Sequence, residues 1–385
     1  MPLPTWSHCI PTLNRIDILE QAVRLSLLQT CASQEIIIVD ASDNVDRHRA
    51  RIEAIFAAHE GPKPALHYIA SPLKSLTHQR NIAIRRAVGD VLFLFDDDTL
   101  MFSDCAEAIL KIYAGDTGHK IAAASAVNTP DLPGAARVAD DDRKVTGSAA
   151  IRSGPRDHPA LRWIWNHVFM MNAASHFIAY DTPRRLEKPG TVTVGALRLL
   201  RLPLLPGYAM TVRAEIARRE PFDSALLSYC PAEDLDATYR FSRHGMNVLC
   251  ETARVHHFEA ASGRIERRQA ITLGLMNLAS FVARKSARPA RDIPAYYLRY
   301  GRRLVAELLK DGLSRRFTFP QFLGALSAFW PTVAIFRHGR TGFDDWYQAQ
   351  QMRVLDWPSV RPAPVLPSAG PTASTSPHNH KGSGK

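Results

Sequence analysis

The sequence predicts an α/β fold: a mostly parallel central sheet with flanking helices, followed by a C-terminal helical region. Three observations carry this. Over the first hundred residues apolar runs alternate with helical patterns, the order expected of strands and crossover helices. Two of those runs end in carboxylates, at Asp40 and at Asp96-Asp97-Asp98. From Arg264 onward the pattern turns helical and basic, with 13 Lys/Arg against 4 Asp/Glu in residues 264–316, or +9 of a formal charge of +11.

Element by element, Ile16, Leu19, Val23 and Leu27 recur at helical spacing after Asn14, a candidate cap. Glu35-Ile36-Ile37-Ile38-Val39-Asp40 is a buried strand, and a helix with Ile52, Ile55 and Phe56 on its apolar side follows. His67-Tyr68-Ile69 is a short strand, Thr77 to Val88 a helix, and Val91-Leu92-Phe93-Leu94-Phe95 a strand that runs into the three aspartates. Asp104 to Ala114 is helical, Ile121 to Val127 is a strand, and Asn128 to Arg156 is a polar connection. Residues 157–206 show no dominant period. Asn247 to Val255 is a further strand, and the Pro/Ser/Thr-rich tail at 362–385 reads as disordered.

A chain of 385 residues that is 46% hydrophobic buries a large core, which excludes disorder throughout. The five cysteines, Cys9, Cys31, Cys105, Cys230 and Cys250, are scattered without the close pairs of a zinc site or disulfide framework, which fits a reducing cytoplasm. Met1 to Ile10 lacks the charged start and apolar run of a signal peptide. The uncharged stretch Phe317 to Phe336 is interrupted by Pro320, Gln321 and Pro331, so a membrane span is not expected. No nucleic-acid signature accompanies the basic region, and no nucleic-acid partner is expected.

In open parallel sheets ligands bind beyond the carboxyl ends of the strands, where Asp40 and Asp96–Asp98 fall. Three adjacent carboxylates on a tight turn repel one another. A divalent cation, Mn2+ or Mg2+, together with a nucleotide diphosphate would relieve that cost. A solvated turn or a helix cap is the plainer alternative for an isolated cluster, and the buried strand before it weighs against that. Thr77-His78-Gln79-Arg80-Asn81 opens a helix whose free N–H groups and Arg80 guanidinium suit phosphate oxygens, with a surface helix start as the alternative. Glu233-Asp234 suits either an acidic helix start, with Leu235, Thr238, Tyr239 and Phe241 as its apolar side, or a catalytic pair.

Pro11-Thr12, Val39-Asp40-Ala41-Ser42-Asp43-Asn44, Gln79-Arg80-Asn81, Ala87-Val88-Gly89-Asp90 and Leu94-Phe95-Asp96-Asp97-Asp98, in this order, resemble family 2 glycosyltransferases of GT-A (Rossmann-like) fold. The resemblance continues through Gly207-Tyr208-Ala209-Met210, Pro221-Phe222-Asp223, Ala232-Glu233-Asp234-Leu235-Asp236, Arg240 and Gly245, and covers roughly residues 6 to 265. It implies that Pro11, Thr12 and Asp40 contact the nucleoside and Asp97 the ribose, and that Asp96 and Asp98 hold the metal and diphosphate. Asp234 would be the general base, with Glu233 beside it on the acceptor side. His257, of the pair His256-His257, would complete the metal site, and Arg264 in the following loop would meet phosphate.

The resemblance implies an inverting transfer from a UDP-, GDP- or dTDP-linked sugar to a hydroxyl of a glycan or lipid-linked acceptor, of the bacterial polysaccharide type. No Gln-x-x-Arg-Trp motif follows the Glu-Asp pair, which points to non-processive addition. The expected organisation is a catalytic domain at 1–263 and a basic helical region at 264–350. That region either rests on the inner face of the cell membrane or packs on the core. The competing function is a metal-dependent nucleotidyl or phosphoryl transferase, against which stands the lack of a Gly-rich phosphate loop.

Overall fold

A computed structural model of the chain describes residues 2–134, 176–181, 186–259 and 265–357. Its first half is a run of strands and crossover helices: β1 (Trp6–Thr12), α1 (Ile16–Leu27), β2 (Glu35–Asp40), α2 (Val45–Ala58), β3 (Ala65–Ala70), α3 (Leu76–Arg86) and β4 (Val91–Phe95). β1, β2 and β4 are buried along their whole length. That is the behaviour of strands covered by helices on both faces, and the reason β2 and β4 read as apolar runs, whereas β1 buries Ser7, His8 and Thr12 as well. β5 (Thr99–Met101), α4 (Cys105–Gly115) and β6 (Ile121–Asn128) follow.

After residues outside the described set come β7 (Gly190–Val194), β8 (Leu197–Arg201), β9 (Ala209–Arg213), α5 (Ala214–Arg219), α6 (Glu233–Phe241) and β10 (Met246–His257). The ten strands form one sheet in the order β3-β2-β1-β4-β9-β6-β10-β8-β7, with β5 paired to β10. β3, β2, β1 and β4 are parallel, so Thr12, Asp40 and Asp96 emerge at one edge. The other half is mixed. β9 runs antiparallel between β4 and β6, β10 is parallel to β6, and β8 closes antiparallel on β10.

Gly89 shows why the turn before β4 needs glycine: a Cβ there would lie 2.6 Å from the Trp6 backbone carbon. Asn14 is not the cap of α1. It adopts φ 55°, donates to Ser42 and Asp43, and leaves Arg15 at the N-cap position.

The C-terminal helices are α7 (Arg267–Lys285), α8 (Pro289–Leu313), α9 (Pro320–Ser327), α10 (Phe329–Arg337) and α11 (Phe343–Leu355). They share a core with the acid-bearing half: Leu273, Met276, Phe281 and Tyr347 cluster with Phe177, Leu226 and Tyr239. Ion pairs clamp the join, Arg284 and Lys285 to Asp223, and Lys285 to Asp236. The uncharged stretch at 317–336 is two short helices, α9 and α10. Among the described residues no helix is long and apolar enough to cross a membrane. The tail expected to be disordered and part of the 157–206 segment lie outside the described residues.

Candidate active site

The ends of β1 and β4 and the start of α3 enclose a crevice of about 490 Å³, lined by Pro11, Thr12, Arg15, Gln79, Asp96 and Asp97, with Ser228 and Tyr229 opposite. Thr12 donates its hydroxyl to Asp97 at 2.7 Å, and Arg15 donates to Asp97 at 3.1 Å and to Asp98 at 3.4 Å. Burial pushes the Asp97 carboxyl up to about 7 against the pull of Arg15, with Asp98 adding to the push. The crowding foreseen for three adjacent carboxylates is therefore present in the fold. Arg15, at the crevice wall, was not singled out from the sequence, where it reads as an ordinary first-turn arginine.

Asp40 departs from expectation. It is 0% exposed, and its carboxylate accepts from Ser42 N at 2.7 Å and from the Tyr68 hydroxyl at 2.6 Å, with His48 Nδ1 at 3.1 Å. Both carboxylate oxygens are thus engaged by neighbouring side chains and backbone, and Asp40 is not among the residues lining the crevice. Its place in this structure is to hold β3 and the start of α2 against β2.

Arg80 also departs from expectation. Instead of facing phosphate it is 1% exposed and donates to Glu233, to Asp96 at 2.7 Å and to the Gly207 carbonyl at 2.8 Å, with its guanidinium over the Phe222 ring. Its neighbours in the motif are struts too. Gln79 donates to the carbonyls of Thr12 and Val39, and Asn81 exchanges two hydrogen bonds with the Phe222 backbone. The three residues tie α3 to six places in the chain, at Thr12, Val39, Asp96, Gly207, Phe222 and Glu233, so the motif holds the walls of the site together.

The antiparallel pairing of β5 with β10 sets His257 opposite Thr99, immediately after the aspartates, and Phe258 N donates to Asp98 O at 2.9 Å. His257 Nε2 consequently lies 3.3 Å from Asp98 Oδ1, and Tyr208 stacks on its ring at 4.4 Å. Burial alone would lower the imidazole's pKa, but the hydrogen bond and charge of Asp98 outweigh it and hold it raised. His256 points elsewhere, with Nδ1 3.0 Å from Thr129 O. Asp96, Asp98 and His257 each offer one ligand atom, all within 4.8 Å of one another. Tyr208, inside a motif noted in the sequence, had no role assigned there. Arg264 lies outside the described residues.

Glu233 and Asp234 open α6, whose N-cap Ala232 takes φ 71°. Burial pushes the Glu233 carboxyl up to about 8 although Arg80 pulls it down. Asp234 accepts from Gly207 N at 3.1 Å and from Leu235 N at 2.9 Å. Its carboxyl is raised by burial, against Arg80 and these two donors. Gly207 packs against the pair: a Cβ there would stand 3.0 Å from Glu233 Oε1 and 3.1 Å from Asp234 Cβ. Asp234 lines a second cavity of about 740 Å³ between α6 and α7, walled mainly by Leu235, Ile271, Leu275 and Leu278, with His176 and Arg303 as polar members. One buried guanidinium thus connects the Asp96 side to the Glu233-Asp234 side.

Residues 7–180 match the sequence model of Glycosyl transferase family 2. Over this stretch, just under half of its length, the chain is similar to family 2 glycosyltransferases. A 130-residue stretch is 29% identical to an uncharacterized glycosyltransferase of Rickettsia conorii, over 30% of this chain. The chain spans only about a fifth (19%) of the length of that relative. Similar solved structures include GalNAc-T7 with UDP, GalNAc and Mn2+ (TM-score 0.47, 13% identity, 73% of this chain and 48% of that one). The mannosyltransferase PcManGT from Pyrobaculum calidifontis with GDP-Man and Mn2+ is another (TM-score 0.46, 16% identity, 92% and 86%). S. aureus TarS 1–349 is a third (TM-score 0.46, 11% identity, 91% and 89%). The matched stretch holds the aspartate cluster and most of the first crevice's lining, whereas Asp234 and the walls of the second cavity lie almost wholly beyond it.

Proposed function

We propose that this protein is an inverting, metal-dependent glycosyltransferase that moves a sugar from a nucleotide-diphosphate sugar to an acceptor hydroxyl. The observation that carries the proposal is the juxtaposition made by Arg80. It joins Asp96, in the set with Asp98 and His257, to Glu233, the neighbour of a carboxylate facing a separate cavity. Pro11, Thr12, Asp97 and Arg15 would then line the nucleotide's berth, and Asp234 would face the acceptor.

The donor set of two carboxylates and one imidazole fits a hard divalent cation, and the nitrogen favours Mn2+ over Mg2+. Asp96, Asp98 and His257 would hold it. When bound, the cation supplies charge neutralisation of the departing diphosphate. Asp234, in the first turn of α6 where the helix dipole favours an anion, takes the proton of the acceptor hydroxyl as it attacks. Its burial-raised carboxyl is a better proton acceptor than an exposed aspartate. One displacement at the anomeric carbon inverts its configuration, and no side-chain nucleophile is needed. Arg15 has reach to the crevice and bears positive charge toward a phosphate.

The acceptor is a glycan or lipid-linked hydroxyl, the apolar walls of the cavity at Asp234 suiting the apolar part of such a molecule. The catalytic unit is residues 1–263, carried on helices from 264 to 350. A cytoplasmic site is in keeping with five cysteines that form no disulfide.

Incubation with UDP-, GDP- and dTDP-sugars plus Mn2+ or Mg2+ tests the proposal. Slow donor hydrolysis is expected, lost with EDTA and in Asp98→Ala, while Asp234→Asn should abolish transfer and keep donor binding. Tight binding of a nucleoside triphosphate but of no nucleotide sugar would instead establish the phosphoryl-transfer alternative.

A further inference from the structure

α8 is built inside out. Its buried face carries Asp292, Tyr296, Tyr300, Glu307 and Asp311, whereas Leu298, Val305, Leu309 and Leu313 are 62, 48, 40 and 66% exposed. At 100° per residue those four lie within an arc of about 80°, directly opposite the buried residues. The exposure continues beyond the helix: Phe317 is 73% and Trp330 74% exposed. Ten of the thirteen large hydrophobics exposed among the described residues fall between Leu298 and Trp330, so the apolar surface is concentrated in one region. Phe329 lies 6.3 Å from Tyr297 and 6.1 Å from Tyr300, ring to ring, and the Tyr300 hydroxyl donates to Ala325 O, which sets α8 beside α9 and α10.

Charge decides what covers this surface. Residues 289–340 contain nine Lys/Arg and three acids, and all three acids, Asp292, Glu307 and Asp311, are buried. Asp311 is spent on the start of α9, accepting from Gln321 N and Phe322 N, and Asp292 on Ser286. The surface of the segment is left apolar and cationic, with Arg302, Arg315 and Arg337 among its exposed members. A second copy of the same face would bring like charges together. A sheet of anionic lipid headgroups over acyl chains meets both properties.

We propose that the face formed by α8 and the α9–α10 segment docks the protein on an anionic membrane surface, lying on the bilayer without crossing it. Leu298, Val305, Leu309, Leu313, Phe317 and Trp330 enter the headgroup–acyl boundary while the arginines meet the headgroups. This stands apart from the transferase reading, because it uses no residue of either cavity's catalytic groups and is measured without donor.

The test is flotation of the full-length chain with vesicles of phosphatidylcholine alone or mixed with phosphatidylglycerol. Binding to mixed vesicles is expected, weaker by at least about tenfold on phosphatidylcholine alone and in high salt. Leu309→Glu/Leu313→Glu should lower binding by at least about tenfold with an unchanged melting temperature, and Trp330→Glu should lower it similarly. Leu28→Glu, at an exposed leucine of the catalytic half, should bind like the parent. Failure of the parent to bind mixed vesicles overturns the proposal, as does equal binding by the glutamate variants. So does a dimer in solution that those same substitutions dissolve, which would assign the face to a second copy.

Discussion

Replacing Arg80 by leucine removes a buried cation that bonds both sides of the site, and its cost can be worked from the contacts. The guanidinium is 1% exposed and holds Glu233, Asp96 and the Gly207 carbonyl. Truncating one partner of a buried ion pair costs roughly 3–5 kcal/mol, because the other charge is left uncompensated. Glu233 can escape part of this by taking a proton, since its carboxyl already stands at about 8. The loss at pH 7 should therefore sit near the low end, about 3 kcal/mol.

The sign with pH follows from linkage. A carboxyl raised in the folded state stabilises the fold when protonated, and that stability drains as pH rises from the ordinary carboxylate range through the folded value. In the parent the decline levels off above about 8; without Arg80 the folded value lies higher, so the variant goes on losing about 1.4 kcal/mol per pH unit. Urea unfolding at pH 7 and pH 9 measures both, and Glu233→Gln in the Arg80→Leu background should return about 1.5–3 kcal/mol. A loss below about 1 kcal/mol at pH 7, an equal loss at pH 9, or no recovery in the double variant would refute the account.

Gly207→Ala sets a Cβ 3.0 Å from Glu233 Oε1 and should lower the transfer rate about tenfold by displacing the acid pair, with little change in melting temperature; an unchanged rate counts against this. His257→Ala should weaken Mn2+ binding by at least about tenfold in calorimetry, whereas His256→Ala, whose ring faces Thr129 O, should not. The reverse ranking would remove His257 from the cation set. For Asp223, burial would raise the carboxyl, but Lys285 and Arg284 hold it well below the usual range. Its contribution is present above that range and lost as pH falls toward the folded value, so Asp223→Asn should destabilise at pH 7 and approach the parent in acid. A gap between the two unfolding midpoints that stays constant from neutral pH into acid would show that this pair does not drive acid unfolding.

The core of strands and crossover helices was largely legible from periodicity. β2 and β4 occupy the residues expected, because strands covered on both faces must be apolar throughout, and α1 and α4 fall within a residue or two of their predicted bounds. β7 and β8 were not legible: they form the last hairpin of the sheet, bury only Val194 and Leu199 among mostly exposed or half-buried residues, and include arginines at positions 198 and 201. Nor was Asn14's conformation, since its partners Ser42 and Asp43 lie far along the chain.

The sequence by itself determined that carboxylates gather at one edge of a parallel sheet, since strand direction and crossover helices follow from local pattern alone. Only the tertiary structure decided which of them line the crevice. Asp40 turns inward to Tyr68 and His48, while Asp97 lines the crevice. Neighbouring residues on a strand point to opposite sides, so the β5–β10 register had to exist before His257 rather than His256 could meet Asp98. Arg80 likewise reads as a phosphate ligand until long-range packing surrounds it with Glu233, Asp96 and Gly207, contacts that no spacing within α3 encodes.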